Sequence, residues 1–117
     1  MTVYGLPNCD STKAALKWLK QHNISYTFHD YKVNGITAAH INKWLEKIPL
    51  EKLLNKKSTT WRSLSPEQQA GALSVDGAVL LMAKHTSLIK RPLVEWGEAG
   101  YTAGFDEVMF ERMVNSQ

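Results

Sequence analysis

Residues 2–31 read TVYGLPNCDSTKAALKWLKQHNISYTFHDY, and this stretch decides the fold. It opens with a short run of β-branched and aromatic residues that stops at Pro7, which is typical of a strand. In the segment 10–22 one face carries Ala14, Ala15, Trp18 and Leu19, which predicts an amphipathic helix. Residues 24–31 then alternate apolar and polar side chains, as a second strand would. A strand–helix–strand unit of this length makes its two strands parallel, with a right-handed crossover.

The middle of the chain is predicted to be helical. Helices are expected over 37–48, over a single turn at 50–54, from Ser65 onward, and over 75–85. Thr37 is the N-cap candidate of the first of these helices, and Pro49 ends it. Pro66 suits a first helical position, and Gly77 is expected to weaken the helix that contains it.

The last third of the chain predicts a β-hairpin followed by a helix. The strands are expected over 93–96 and 101–103, on either side of the turn sequence GEAG. Asp106 is the N-cap candidate of the final helix, whose side chains Val108, Met109 and Met113 are expected to face the sheet. The order βαβ, helices, ββα predicts an α/β thioredoxin-like fold with a helical insertion. With 117 residues, we expect one domain over 1–117, with a helical subdomain at about 37–86.

Composition limits where in the cell the protein is expected and which partners it is expected to bind. The chain has one cysteine and so no internal disulfide, and it has neither a membrane-length apolar run nor a signal-peptide pattern, so we expect it to be cytoplasmic. Its 14 Lys and Arg against 11 Asp and Glu give a net charge of +3. The basic residues are spread along the chain, which argues against a nucleic-acid-binding surface.

The cysteine, Cys9, lies in the turn between the first strand and its helix. Unpaired amides at a helix N-terminus and the helix dipole favour negative charge, so this position can lower a thiol pKa. Thr12 completes a C-x-x-T pattern and could donate a hydrogen bond to the thiolate, and Lys13 would add positive potential. There is no second cysteine in this pattern, so a resolving thiol must come from outside the chain.

A lone cysteine is also often just a small buried apolar residue, and both interpretations of Cys9 stay open at this point. Asn8 could shape the turn, whereas Asp10 would raise the thiol pKa if its carboxylate approached the sulfur, unless it caps the helix. The four histidines lack metal-ligand spacing, so we expect no metal site, although one histidine could act as a base for Cys9. The four tryptophans are expected to pack in the core.

Four blocks of sequence resemble the arsenate reductase-like (ArsC) family, and its YffB branch in particular. The blocks are YGLPNCDSTKAALKWL, HDYKVNG, LLNKKSTTWRSL and LIKRPLVEWG, and GYTAGFDEVMF is similar to the closing strand and helix. The resemblance implies a thioredoxin-like fold, a catalytic cysteine that attacks an oxyanion or thiol substrate, and glutathione as the reductant. No bound cofactor is implied.

The same resemblance assigns roles to individual residues. Cys9 matches the nucleophile, Arg62 and Arg91 match two of three arginines that surround it in arsenate reductases, and Pro92 matches a proline that is cis in this fold. The third arginine is missing, because its position falls at or near Tyr101. A tetrahedral oxyanion would lose one charge-assisted contact as a result.

The sequence therefore predicts a glutathione-dependent thiol oxidoreductase with a mixed-disulfide intermediate on Cys9. Its expected partners are glutathione, glutaredoxin and a small disulfide or oxyanion substrate. One alternative is an arsenate reductase proper. Another is a non-enzymatic module that binds RNA polymerase, like the Spx-type regulators, although those carry a C-x-x-C pair that this chain lacks.

Overall fold

A computed structural model describes residues 1–117 as two compact units. The first unit comprises 1–34 and 91–117, and the second comprises 35–90. The expected helical region, 37–86, falls inside the second unit. No helix has both the length and the apolar composition needed to cross a membrane.

The first unit contains all four strands and three helices. They are β1 (Thr2–Gly5), α1 (Asp10–Gln21), β2 (Thr27–Asp30), α2 (Tyr31–Asn34), β3 (Leu93–Glu95), β4 (Tyr101–Ala103) and α8 (Glu107–Asn115). The sheet order is β2-β1-β3-β4, with β1 and β2 parallel and the other pairs antiparallel. This arrangement confirms the predicted βαβ unit, the hairpin and the thioredoxin-like plan.

One face of the sheet carries the core of the first unit. Val3 of β1 pairs with Val94 of β3, and both are fully buried. They pack with Ala15, Trp18 and Leu19 of α1, with Trp96, and with Phe110 of α8. Alternation along each strand sends the neighbouring side chains to the opposite face, where Tyr4, His29 and Glu95 lie.

The second unit is helical. Its helices are α3 (Ala38–Leu45), α4 (Leu50–Leu53), α5 (Thr59–Ser63), α6 (Pro66–Gly71) and α7 (Val75–Lys84), followed by a 3-10 turn at Thr86–Leu88. The Thr37 side chain accepts a hydrogen bond from the backbone N–H of His40, so it is the predicted N-cap. Ser65 forms a capping box with Gln68 in front of Pro66, as the Ser-Pro pattern predicts.

Several local predictions were wrong. On α1, Ala14 is exposed and Thr12 is buried, so the buried face consists of Thr12, Ala15, Trp18 and Leu19. The second strand begins only at Thr27, because Asn23 adopts a positive φ of 56° and the chain turns there. At its other end, the Asp30 carboxylate accepts from the backbone N–H of Lys32, and Tyr31 starts a helix.

Three further differences have equally local reasons. On α8, Met109 and Met113 pack against the core as predicted, but Val108 is 61% exposed, and the fully buried residue of this helix is Phe110. Helix α5 was not predicted, although the Ser58 side chain caps it by accepting from the N–H of Trp61. Gly77 is required by packing, since a Cβ there would collide with the Gly71 carbonyl oxygen, and the expected weakening of α7 stays a prediction.

Candidate active site

The topology of the first unit brings three chain segments to one end of its sheet. Because β1 and β2 are parallel, Cys9 and Tyr31 follow these strands at the same end. Because β3 runs antiparallel to β1, Arg91 and Pro92 precede β3 at that same end. We call this the Cys9 end of the sheet.

Cys9 is half-buried and occupies the N-cap position of α1, with extended backbone (φ −86°, ψ 126°). Burial raises the pKa of Cys9, but the Arg91 guanidinium, which donates a hydrogen bond to the sulfur, opposes this effect. The pKa is lowered further by hydrogen bonds from the Thr12 N–H and the Thr12 hydroxyl and by the positive charge of Arg91. Together these contributions hold the pKa of Cys9 below its ordinary value.

Thr12 is placed for this role by close packing. Its side chain is fully buried on the first turn of α1, and its hydroxyl has no hydrogen-bond partner besides the interaction that favours the Cys9 thiolate. It packs on Gly5, where an added Cβ would lie 2.6 Å from Thr12 Oγ1. Glycine at the end of β1 therefore lets α1 begin close enough to the strand for the Thr12 hydroxyl to form a hydrogen bond with the Cys9 sulfur.

Arg91 and Pro92 lie directly before β3. The Arg91–Pro92 peptide bond is cis, which is the form that the family resemblance implies for this proline. Arg91 is half-buried and Pro92 is buried. The structure thus brings together Cys9, Thr12, Arg91 and Pro92 of the predicted site residues, all within the first unit.

Tyr101, at or near which the third arginine is missing, does not lie at the Cys9 end of the sheet. Tyr101 pairs with Glu95, which in turn pairs with Thr2, so Tyr101 lies at the opposite end of the strands from Cys9. The residue beside Pro92 is Gly104, whose N–H donates to the Pro92 carbonyl oxygen at 2.9 Å. No basic side chain occurs on β4 or directly after it.

The remaining predicted residues have less defined roles. Asn8 and Lys13 are both exposed. The positive charge that acts on the sulfur comes from Arg91, so the contribution expected of Lys13 stays a prediction. Asp10, at the first position of α1, is exposed and is not among the groups that change the pKa of Cys9.

Arg62 belongs to the second unit. It is exposed on α5, and its Nη2 donates to the Lys57 carbonyl oxygen at 3.1 Å. Next to it, the Lys56 ammonium lies 5.4 Å from the centre of the Trp61 ring, and Trp61 is the only tryptophan that is not buried. A role for Arg62 towards Cys9 stays a prediction.

Sequence reasoning missed a polar aromatic cluster on the other face of the sheet, formed by Tyr4, His29, Tyr31 and Glu95. The Tyr4 hydroxyl donates to Glu95 Oε1 at 2.9 Å. The Tyr4 ring centre lies 4.7 Å from that of His29 and 6.3 Å from that of Tyr31. The signal available in the sequence was the position of Tyr31, directly after β2, because parallel strands end on one side of a sheet.

The other histidine of the first unit, His22, stacks on Trp18 at the far end of α1, with ring centres 3.8 Å apart. No group of three or more His, Cys, Asp or Glu side chains is arranged to hold a metal ion.

Proteins of similar sequence match this chain over most of its length. An uncharacterized protein from Haemophilus influenzae is 40% identical over 112 residues, which cover 95% of this chain and 96% of that protein. The global transcriptional regulator Spx of Streptococcus pyogenes is a more distant relative, 24% identical over 80% of this chain and 70% of the regulator.

Solved structures share the fold. A structure described as the YFFB protein is 36% identical and superimposes with a TM-score of 0.90, over 96% of both chains. An arsenate reductase (ArsC) related protein from Brucella melitensis is 38% identical, with a TM-score of 0.73, over 95% of this chain and 91% of that one. The profile of the ArsC family matches residues 4–113, nearly the whole sequence. The chain belongs to the ArsC family.

Proposed function

We propose that this protein is a cytoplasmic, glutathione-dependent thiol oxidoreductase in which the Cys9 thiolate is the nucleophile. The single observation that carries this proposal is the hydrogen bond from Arg91 to the Cys9 sulfur, supplemented by Thr12. A structural cysteine in an apolar setting would have a raised pKa, whereas reactive cysteines occupy electropositive, partly exposed sites. Cys9 meets both conditions of a reactive cysteine.

The reaction is a pair of thiol–disulfide exchanges. The Cys9 thiolate attacks a disulfide between glutathione and a second thiol, the S–S bond breaks, and the second thiol leaves as a thiolate that takes up a proton from water. Cys9 then holds glutathione as a mixed disulfide. A free glutathione thiolate attacks this disulfide, which releases oxidised glutathione and restores the Cys9 thiolate.

An external thiol is needed for the second step because the chain has only one cysteine. Glutathione supplies that thiol directly, and glutaredoxin is a second candidate. Glutathione also carries carboxylates, which a guanidinium binds in bidentate fashion. We assign this anion binding to Arg91, with Arg62 as the second arginine.

The absence of a third arginine favours a thiol substrate over arsenate. Gly104 offers neither charge nor a side chain at the position beside Pro92. Each well-placed hydrogen bond to a charged group is worth roughly 1.5–3 kcal/mol, so a site without the third arginine binds a tetrahedral oxyanion less well. We therefore expect little arsenate turnover.

Intact-protein mass spectrometry tests the proposal. The protein is incubated with oxidised glutathione in one arm and with arsenate in another, and Cys9→Ser serves as the control in both. We expect a glutathione adduct in the first arm that free glutathione removes, no adduct in the second, and none with Cys9→Ser.

Two other outcomes would contradict the proposal. Turnover in a coupled assay with arsenate, glutathione and glutaredoxin, with no glutathione adduct, would identify an arsenate reductase proper. No adduct in either arm, together with retention of an RNA polymerase subunit that is unaffected by Cys9→Ser, would identify a regulatory module like the Spx proteins.

A further inference from the structure

The Tyr31 hydroxyl is a buried polar group without a partner. Tyr31 is 3% exposed, and its hydroxyl oxygen has no hydrogen bond in the structure. The neighbouring Tyr4 hydroxyl is different, because it is bonded to Glu95 at 2.9 Å. An unsatisfied buried hydroxyl costs stability, whereas a phenylalanine ring would fill the same volume without that cost.

The surroundings of Tyr31 connect it to Cys9. Its ring lies 6.3 Å from that of Tyr4 and 5.9 Å from that of His29, at the Cys9 end of the sheet. Burial raises the pKa of Tyr31 and keeps it neutral, and the charged groups that act on it are Glu95 and Arg91. Arg91 is the cation of this set and also the donor to the Cys9 sulfur.

We propose that Tyr31 is a positioning residue, whose hydroxyl oxygen accepts a hydrogen bond from Arg91 when the Cys9 sulfur is charged and so holds the guanidinium at the sulfur. A guanidinium has five N–H donors, enough to serve the sulfur and the hydroxyl together. The hydroxyl's missing partner in the resting protein is thus supplied in the reactive state. This inference rests on the proposed function, because it concerns the same thiolate.

The charged and titratable groups near this arrangement are few. The rings of Tyr4 and His29 lie beside Tyr31, on β1 and β2. Glu95, which is bonded to Tyr4, and Arg91, in the segment before β3, act on Tyr31 through their charges. On α1, exposed Asp10 and Lys13 flank Cys9.

The test is a double-mutant cycle read out by the pH dependence of Cys9 alkylation. Tyr31→Phe removes only the hydroxyl, and Tyr26→Phe is the matched control, since Tyr26 packs against the core of the same unit. We expect Tyr31→Phe to move the midpoint of the pH profile upward by about 0.5 to 1 pH unit, from the worth of one hydrogen bond. Tyr26→Phe should leave the midpoint unchanged.

The second half of the cycle repeats Tyr31→Phe in an Arg91→Ala background. If Tyr31 acts through Arg91, the hydroxyl has no further effect there. An equal upward movement in both backgrounds would overturn the proposal, because Tyr31 would then act without Arg91. No movement in either background would overturn it as well. The proposed function fails separately, if the wild-type midpoint is itself that of an ordinary thiol.

Discussion

At the scale of single residues, two opposing effects act on the Cys9 sulfur. Burial raises its pKa, because desolvation disfavours the charged thiolate. Arg91 and Thr12 reverse this effect with two side chains and one backbone N–H. The reactivity of Cys9 therefore depends on a few identifiable atoms, each of which can be removed separately.

Removing Arg91 should raise the pKa of Cys9. Arg91→Ala takes away both a hydrogen bond and a positive charge, so we expect the midpoint of the Cys9 alkylation profile to rise by about 1 pH unit or more. Arg91→Lys should give an intermediate midpoint, because the charge is kept and the fork of donors is lost.

Arg112→Ala is the control for this experiment, since Arg112 is an exposed arginine of the same unit on α8. If Arg91→Ala and Arg112→Ala had the same midpoint as the wild type, Arg91 would have no part in activating the thiol.

Removing the Thr12 hydroxyl should have a smaller effect in the same direction. Thr12→Val keeps the shape of the buried side chain and deletes the donor, so we expect a midpoint higher by roughly 0.5 pH unit. Thr12→Ser keeps the donor and should retain the wild-type midpoint. The idea would be refuted if the valine and serine variants had equal midpoints in alkylation.

At the scale of elements, the site depends on how β1 joins α1. The last residue of β1 must be glycine because Thr12 packs directly on it. The first turn of α1 is thereby held close to the end of the strand, and Cys9 becomes its N-cap.

This packing predicts the effect of Gly5→Ala. A Cβ at this position would lie 2.6 Å from Thr12 Oγ1, so the helix start must shift, and we expect a loss of about 1–3 kcal/mol in the free energy of unfolding. Urea unfolding measures this loss, and it should be largely relieved in Gly5→Ala/Thr12→Ala relative to Thr12→Ala alone. An equal loss in both backgrounds would mean that Thr12 is not the obstacle.

Much of the element order could be predicted because its signals are local. The N-caps Thr37, Ser65 and Asp106 each precede a helix, and each side chain accepts the expected backbone hydrogen bond. Other features of the elements depend on three-dimensional packing and could not be predicted from local signals. Gly77 lies against the Gly71 carbonyl oxygen, and helix propensity, which depends on residue type alone, cannot predict such a contact.

At the scale of the whole molecule, part of the site could be predicted and part could not. Position after β1 indicated Cys9 and Thr12 but left open whether Cys9 is reactive, and the family resemblance of the block RPLV indicated Arg91 and Pro92. The role of Tyr31 depends on burial and on an unpartnered hydroxyl, which no sequence pattern reveals. Arg62 lies in the other unit, and its role towards Cys9 rests on the family resemblance alone.

The lowered pKa of Cys9 also links the stability of the protein to pH. Between the pKa of the folded protein and about 8.5, the unfolded chain keeps a proton that the folded protein has lost. Unfolding takes up a proton in this window, so the free energy of unfolding rises with pH there. The contribution is complete above the unfolded value and is lost as the pH falls through the folded value.

Urea unfolding of the wild type and of Cys9→Ala, at a series of pH values, checks this linkage. The difference in free energy between the two proteins should move in favour of the wild type as the pH rises through the window. A difference that is constant with pH would show that folding does not change this pKa.

The central claim is that Cys9 is an activated thiol, and the pH dependence of its alkylation in the wild-type protein tests this most directly. Cys9 is the only cysteine, so the rate reports on one group. We predict a midpoint clearly below the ordinary thiol value of about 8.5. A midpoint at or above that value would contradict the account.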